Sequence, residues 1–211
     1  GVAGIMIDEN GNNAINVFAG AAAHLQNDDI DTNLDVIKKS KIFLTQMETP
    51  DSTTIYALKK AKDNGCLTIL NPAPARKINE NDFELLDFFT PNETEAEFYL
   101  NKKIETNTDI KNAAKEFLNR GVKNIIITLG EKGIYFANKN EEYFVDALKL
   151  KDEVIDTTGA GDAFNGAFAV ALANEHKYKD ALIFANKVAG ISTTRLGAAS
   201  SMPTLNEVEK Y

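Results

Sequence analysis

Cysteine occurs once in the 211 residues, at Cys66. A single thiol excludes an internal disulfide and suits a reducing cytoplasm. Cys66 opens the apolar run Leu67-Thr68-Ile69-Leu70, where a small buried side chain is expected. Positive charge is in deficit: 23 Lys and Arg stand against 31 Asp and Glu, a net charge of -8. Such a chain has little with which to offset a nucleic-acid backbone, which argues against DNA or RNA as a partner. It does not argue against a small phosphate-bearing ligand held by backbone N–H groups and a metal ion. No apolar stretch is long enough to span a bilayer and no signal peptide is visible, so no membrane partner is expected. Internal repeats, low-complexity segments and linkers are also missing. So is an initiator methionine: the chain opens Gly1-Val2-Ala3-Gly4-Ile5, apparently inside a strand.

What is present is an ordinary globular composition, 44% hydrophobic and 26% charged, in a chain long enough for one sizeable α/β domain. Two short apolar runs flank Asn10-Gly11, a strong hairpin signal. Ile42 to Thr45 reads as a short buried strand, followed by the loop Gln46-Met47-Glu48. Asp51 to Asn64 reads as an amphipathic helix with Ile55, Leu58 and Ala61 on one face and Gly65 as its stop. Cys66 to Leu70 reads as the next strand. Asn71-Pro72-Ala73-Pro74-Ala75 then forms a stiff loop, because two prolines in four residues forbid helix. Further expectations are a short helix at Asp82 to Asp87, a strand end at Phe88-Phe89-Thr90 and a helix reaching Leu100 from Pro91. Asp109 to Arg120 reads as another helix. Asn124 to Leu129 reads as a strand buried on both faces. A hairpin turns around Asn138-Lys139-Asn140. Helices are expected from Asp162 to about Ala173, from Tyr178 to Thr194 and from Pro203 to Tyr211. His24 and His176 have no partner motif and read as solvated. Strands alternating with helices imply a three-layer α/β sandwich around a mostly parallel sheet.

One stretch carries chemistry on its own terms: Asp156-Thr157-Thr158-Gly159-Ala160-Gly161-Asp162-Ala163-Phe164-Asn165-Gly166. Val154 and Ile155 before it suit a strand end. Ala163, Phe164, Ala167, Phe168, Ala171 and Leu172 after it recur at helical spacing. The string therefore reads strand, glycine turn, helix start. Gly159 and Gly161 permit backbone angles and close approach that a side chain would block. The helix start offers free N–H groups and the positive end of its dipole to an anion. Asp162 at its mouth can cap the helix or accept a proton; a capped helix after a tight turn explains the same residues. The string is not a P-loop, since no Gly-Lys-Ser/Thr follows. Nor is it a dinucleotide fingerprint, because Phe164 stands at the third glycine position.

Asp156-Thr157-Thr158-Gly159-Ala160-Gly161-Asp162-Ala163-Phe164-Asn165-Gly166-Ala167-Phe168 resembles the C-terminal signature of the ribokinase-like sugar kinases, the PfkB family. Asn71-Pro72-Ala73-Pro74-Ala75-Arg76 resembles a string of its ribose-phosphorylating members. Pro91-Asn92-Glu93-Thr94-Glu95 resembles the family's metal and phosphate motif. The three occur in the family's order, and the resemblance covers essentially all 211 residues.

The resemblance implies an ATP-dependent kinase acting on a small-molecule sugar, with ribose favoured over fructose or a nucleoside. It implies the backbone N–H groups of Gly159, Ala160 and Gly161 as an anion hole. Asp162 would be the base for the sugar hydroxyl, and Glu48 a sugar ligand. Asn92 and Glu95 would organise Mg²⁺ and its waters, and Thr128, Gly130 and Gly133 would lie along the nucleotide, with Asn186 near its base. A K⁺ site would be closed by Asp156, Thr158, Ser192, Arg195, Gly197 and Ser201, mostly through backbone carbonyls. For Asn71 to Arg76 a rigid connector remains the simpler reading. Set beside the family, residues 1–211 are expected to be the C-terminal nucleotide-binding portion of one ribokinase-like domain, with roughly the first third of the kinase missing. The resemblance implies lid strands as a dimer interface, most of which are not in this chain, so a homodimer of the intact protein stays open. Two other readings stay open: a nucleotide-binding fragment without turnover, and a purely structural α/β domain.

Overall fold

The computed structural model describes residues 1–8 and 13–211. They form two compact units, one made of Gly1–Phe18 with Asp146–Tyr211 and the other of Ala19–Val145. In the first unit, β1 (Val2–Ile7) pairs antiparallel with β2 (Asn13–Phe18), Val2 opposite Phe18 and Ile7 opposite Asn13. The Asn10-Gly11 turn expected between them lies outside the described residues. Val2, Met6, Val17 and Phe18 are all exposed on these strands.

The second unit opens with a 3₁₀ turn over Gly20–His24 and two short helices, α1 (Asn27–Thr32) and α2 (Leu34–Lys38). Neither helix is signalled strongly by the sequence, which is polar here. The entry to α1 is fixed by Asp29, whose carboxylate accepts the Gln26 N–H at 2.8 Å. Ile30, Leu34 and Ile37 pack with Ala61 and Cys66, and Cys66 is buried as expected.

β3 (Ile42–Thr45) follows. Among the described residues it has one neighbour, β4, and Leu44 on it is 37% exposed. This corrects the expectation of a buried strand, because an apolar run of four does not reveal whether it has one neighbour or two. Next come α3 (Asp51–Asp63), β4 (Leu67–Leu70), a 3₁₀ turn at Glu80–Leu85 in place of the expected short helix, and β5 (Phe88–Phe89). Gly65 ends α3 at φ +83°, where only glycine is free of strain. Then follow α4 (Glu93–Leu100), α5 (Asn107–Asn119), β6 (Asn124–Thr128), β7 (Ile134–Asn138) and β8 (Glu142–Val145). The sheet order is β3-β4-β5-β6-β7-β8. β3 to β6 run parallel, and β7 and β8 are antiparallel additions closing the far edge. The architecture is thus the expected α/β fold, a mostly parallel sheet flanked by helices.

An aromatic cluster fills the core of this unit. Phe83 and Phe89 meet edge to face at 5.6 Å, and Phe89 meets Phe117 at 5.2 Å. Burying each such ring contributes about 1.5–3 kcal/mol. Beneath it, Asp87 is buried at the starting ends of the parallel strands. Its carboxylate accepts from the Thr68 N–H at 3.0 Å, from Lys62 at 3.0 Å and from Lys123 at 2.8 Å. Burial alone would raise its pKa; these donors outweigh it and hold the group below the ordinary value.

In the first unit the chain from Asp146 to Gly159 has no regular secondary structure. The strand end expected at Val154-Ile155 does not form, and both side chains are exposed. Among the described residues no strand pairs with them. Instead the N–H groups of Ile155 and Asp156 both donate to the Thr193 carbonyl, at 2.8 and 3.1 Å. α6 (Ala160–Ala173) and α7 (Tyr178–Ser192) then pack together, and α8 (Leu205–Glu209) closes the unit. Ala163, Val188, Ile191 and Val208 form its core.

Candidate active site

The glycine turn builds the start of α6. Gly159 is the N-cap residue at φ +76°, the left-handed region. A Cβ there would also meet Met202 Cε at 3.4 Å and Ala198 Cα at 3.5 Å. Gly161 is different: a Cβ at that position would meet nothing within 4 Å. Local packing therefore gives no reason for glycine at 161, and the space above the first turn of α6 is open. The first-turn amides of a helix have no intrahelical acceptors. Here the Ala160 N–H donates to the Thr157 carbonyl at 3.2 Å and the Ala163 N–H to Gly159 at 2.8 Å. Asp162 is exposed in this first turn, and Asn165 Nδ2 donates back to the Gly161 carbonyl at 2.9 Å.

Below the turn sits Asp156, 1% exposed. Its Oδ1 accepts the Thr158 N–H at 2.8 Å and its Oδ2 accepts the Gly197 N–H at 2.9 Å. The Thr158 hydroxyl beside it, close though outside hydrogen-bonding geometry, and the N–H groups of Gly197 and Thr158 hold the carboxyl below its ordinary pKa against the effect of burial. Among the described residues no basic side chain pairs with it, and the nearby Thr158 hydroxyl is buried without a hydrogen-bond partner. Gly197, at φ +99°, presents its N–H through a conformation that strains other residues. Arg195 reaches away, its guanidinium 2.6 Å from Glu207. Glu207 is drawn down to about pKa 2 by the Thr204 N–H, the Arg195 guanidinium and the Thr204 hydroxyl. The hydroxyls of buried Ser192 and Ser201 donate to the carbonyls of Ala189 and Ala198. The structure thus gathers Asp156, Thr158, Gly159 and Gly197 closely, with Ser192 at the end of α7 and Arg195 and Ser201 on the segment that follows it. Asn186 lies apart from this cluster: its amide donates to the Asp146 carbonyl at 2.7 Å.

The other candidates belong to the second unit, at the carboxyl ends of its parallel strands, the edge where open α/β sheets bind ligands. Glu48 follows β3 and is exposed. Asn92 and Glu95 cap α4 reciprocally: Asn92 Oδ1 accepts the Glu95 N–H and Glu95 Oε2 accepts the Asn92 N–H, each at 2.8 Å. Burial pushes the Glu95 carboxyl up, against the opposing pull of the Asn92 N–H. Thr128 ends β6 beside Asn92, and its N–H donates to the Pro91 carbonyl at 3.0 Å. Gly130 (φ +55°) and Gly133 (φ +94°) shape the turn that follows. Among the described residues no group of three His, Cys, Asp or Glu side chains is gathered as for a metal ion.

The sequence matches the model of the pfkB family carbohydrate kinases over residues 1–205. The chain is 37% identical to a ribokinase of Staphylococcus aureus, covering 100% of this chain and 69% of that protein. Its structure is similar to the ribokinase of Thermotoga maritima, at TM-score 0.86 and 42% identity over 99% of this chain and 68% of the other. It is also similar to Arabidopsis thaliana ribokinase complexed with ribose and ATP, at TM-score 0.90 and 31% identity over 99% and 67%. The chain belongs to the pfkB family of carbohydrate kinases, enzymes that phosphorylate a sugar. No helix among the described residues is long and apolar enough to cross a membrane.

Proposed function

We propose that the protein is a ribokinase, transferring the γ-phosphoryl group of ATP to D-ribose to give ribose 5-phosphate and ADP, with residues 1–211 as the nucleotide-binding portion of one ribokinase-like domain. The observation that carries this reading is the start of α6: an open first turn at Gly161, with an exposed carboxylate at Asp162, in a chain whose relatives include ribokinases and, at slightly lower identity, deoxyribokinases. The sugar hydroxyl oxygen attacks the γ-phosphorus, and the bond from that phosphorus to the bridging oxygen of ADP breaks. The hydroxyl proton passes to Asp162. A carboxylate of pKa about 4 is a far weaker base than the alkoxide it would create, so proton transfer is late and Asp162 chiefly orients the hydroxyl. Phosphoryl transfer asks a protein mainly for positioning and charge stabilisation. Backbone N–H groups at Gly159, Ala160 and Gly161 supply the charge stabilisation. Of these, Ala160 would have to share its N–H with Thr157. Glu48 binds the sugar, and Thr128, Gly130, Gly133 and Asn186 bind the nucleotide.

Two ions fit the residues present. A buried carboxylate with no basic partner, beside an orphaned Thr158 hydroxyl, suits a monovalent cation, K⁺, held by Asp156, Thr158 and carbonyls of the Ser192, Arg195, Gly197 and Ser201 segment. Its contribution would be to fix the shape of the turn. With Oε2 of Glu95 engaged in the cap, Oε1 remains, and together with Asn92 it suits a hydrated Mg²⁺ held largely through waters. Mg²⁺ would neutralise phosphate charge. The single buried thiol supports a cytoplasmic setting.

The test is phosphorylation of ribose by ATP with Mg²⁺ and K⁺. Turnover of ribose in preference to fructose and nucleosides is expected. Turnover of another sugar alone would replace the substrate, and ATP binding without any turnover would favour a non-catalytic nucleotide-binding fragment.

A further inference from the structure

Glu48 is exposed, follows β3 and has no hydrogen-bond partner among the described residues. A side chain so placed can present its carboxylate to a ligand reproducibly only if its backbone is held. The holding comes from the Asn71–Arg76 loop. The Met47 N–H donates to the Ala73 carbonyl at 2.9 Å. Arg76 Nη1 lies 3.4 Å from the Thr49 carbonyl and 3.2 Å from Asp51 Oδ1, the first residue of α3. One loop therefore grips the residue before Glu48 and the residue after it. The loop is itself anchored: the Asn71 N–H donates to the Thr45 carbonyl at 3.0 Å and Asn71 Nδ2 to the Thr90 carbonyl at 3.2 Å. Pro72 and Pro74 stiffen it between these anchors and Arg76. On the other side Thr49 Oγ1 and Thr54 Oγ1 share a hydrogen bond of 2.7 Å.

We propose that Arg76 is a positioning residue for sugar binding, acting through the loop that carries Glu48; the inference rests on the reading of Glu48 as a sugar ligand. Its contacts are long and partly exposed, the Arg76 and Asp51 side chains being 40% and 52% accessible. Such a pair contributes little to global stability and is weakened by salt. Its effect is local, on how often the Glu48 backbone departs from its binding geometry. Arginine suits the task because Nη1 carries two N–H donors fixed in the guanidinium plane and meets a carbonyl and a carboxylate together, which a freely rotating lysine ammonium does less well.

Two measurements on the purified protein test this. Arg76→Ala is expected to speed amide exchange in residues 47–51 while leaving the melting temperature nearly unchanged. It is also expected to raise the KM for ribose about two- to five-fold, the size of an exposed ion pair, with kcat and the KM for ATP unchanged. Asp51→Asn should do the same, and Arg76→Lys should restore part of the loss. In a Glu48→Ala background, Arg76→Ala should add nothing. Unchanged exchange in Arg76→Ala overturns the proposal, as does a further rise in KM on top of Glu48→Ala. If Glu48→Ala alone leaves the KM for ribose intact, the sugar-ligand reading fails and the proposal falls with it. If Glu48→Ala raises the KM and Arg76→Ala does not, only the positioning role is lost.

Discussion

Oδ2 of Asp156 accepts the Gly197 N–H at 2.9 Å, joining two segments 41 residues apart. Asp156→Ala would orphan that amide and the Thr158 amide, at about 1–3 kcal/mol for each buried donor left unpaired. A clear fall in melting temperature is expected. The Asp156 carboxyl titrates lower in the folded protein than in the unfolded chain. Its contribution to stability is therefore full above the unfolded pKa of about 4 and is lost as pH falls through the folded value. Thermal melts below pH 5 should be steeper in pH for the parent protein than for Asp156→Asn. The same substitution should abolish any preference for K⁺ over Na⁺ in turnover, and equal rates of the parent in the two salts would count against the cation site.

Gly159 and Gly161 should respond oppositely to alanine. Gly159→Ala meets a left-handed backbone and the Met202 and Ala198 contacts, so it is expected to destabilise by about 1 kcal/mol or more. Gly161→Ala enters open space on a helix, so the fold should be unaffected or slightly more stable. Its cost should appear in catalysis, as a lower kcat with ATP. A Gly161→Ala enzyme with full activity would show that nothing approaches this turn closely.

Asp162→Asn keeps the size of the side chain and removes its capacity to accept a proton. Phosphoryl transfer should fall by about 10²–10⁴-fold, with ATP binding retained in a calorimetric titration. Unimpaired turnover would remove Asp162 from the chemistry.

Asp87 provides a test remote from the site. Asp87→Ala removes a buried acceptor shared by Thr68, Lys62 and Lys123. Breaking a buried pair typically costs about 3–5 kcal/mol, but Lys123 is largely exposed and can turn to water. A loss of about 2 kcal/mol is expected in urea unfolding, with sugar KM unchanged. Because the folded carboxyl is held low, the difference from the parent should shrink as pH falls below about 4.

Much of this was legible in the residues. The β6 run Ile125-Ile126-Ile127 announces a strand covered on both faces, and all three are fully buried. The helix read from Asp109 starts two residues earlier, at Asn107, where Thr106 and Asp109 form its capping box. Asn92 and Glu95 illustrate the opposite difficulty. Capping and metal binding ask for the same side chains at the same spacing, and the structure shows the cap. Val154 and Ile155 look like a strand because propensity is local, whereas the amides of Ile155 and Asp156 are captured by the carbonyl of Thr193, just past α7 and far along the chain. α1 and α2 were hidden because four apolar residues, Ile30, Leu34, Val36 and Ile37, in a polar stretch give a faint period. The grip of Arg76 on the Glu48 loop left no signal at all, since it joins residues 25 and 27 positions apart.

The first unit draws on both ends of the chain, Gly1–Phe18 and Asp146–Tyr211, while Ala19–Val145 is one uninterrupted stretch. During synthesis the uninterrupted unit can emerge and fold while β1 and β2 are still waiting for α6 and α7. Closing so large a loop is slow. The glycine turn and its Asp156 clasp, which both belong to the discontinuous unit, are therefore expected to mature later than the sheet of the uninterrupted one.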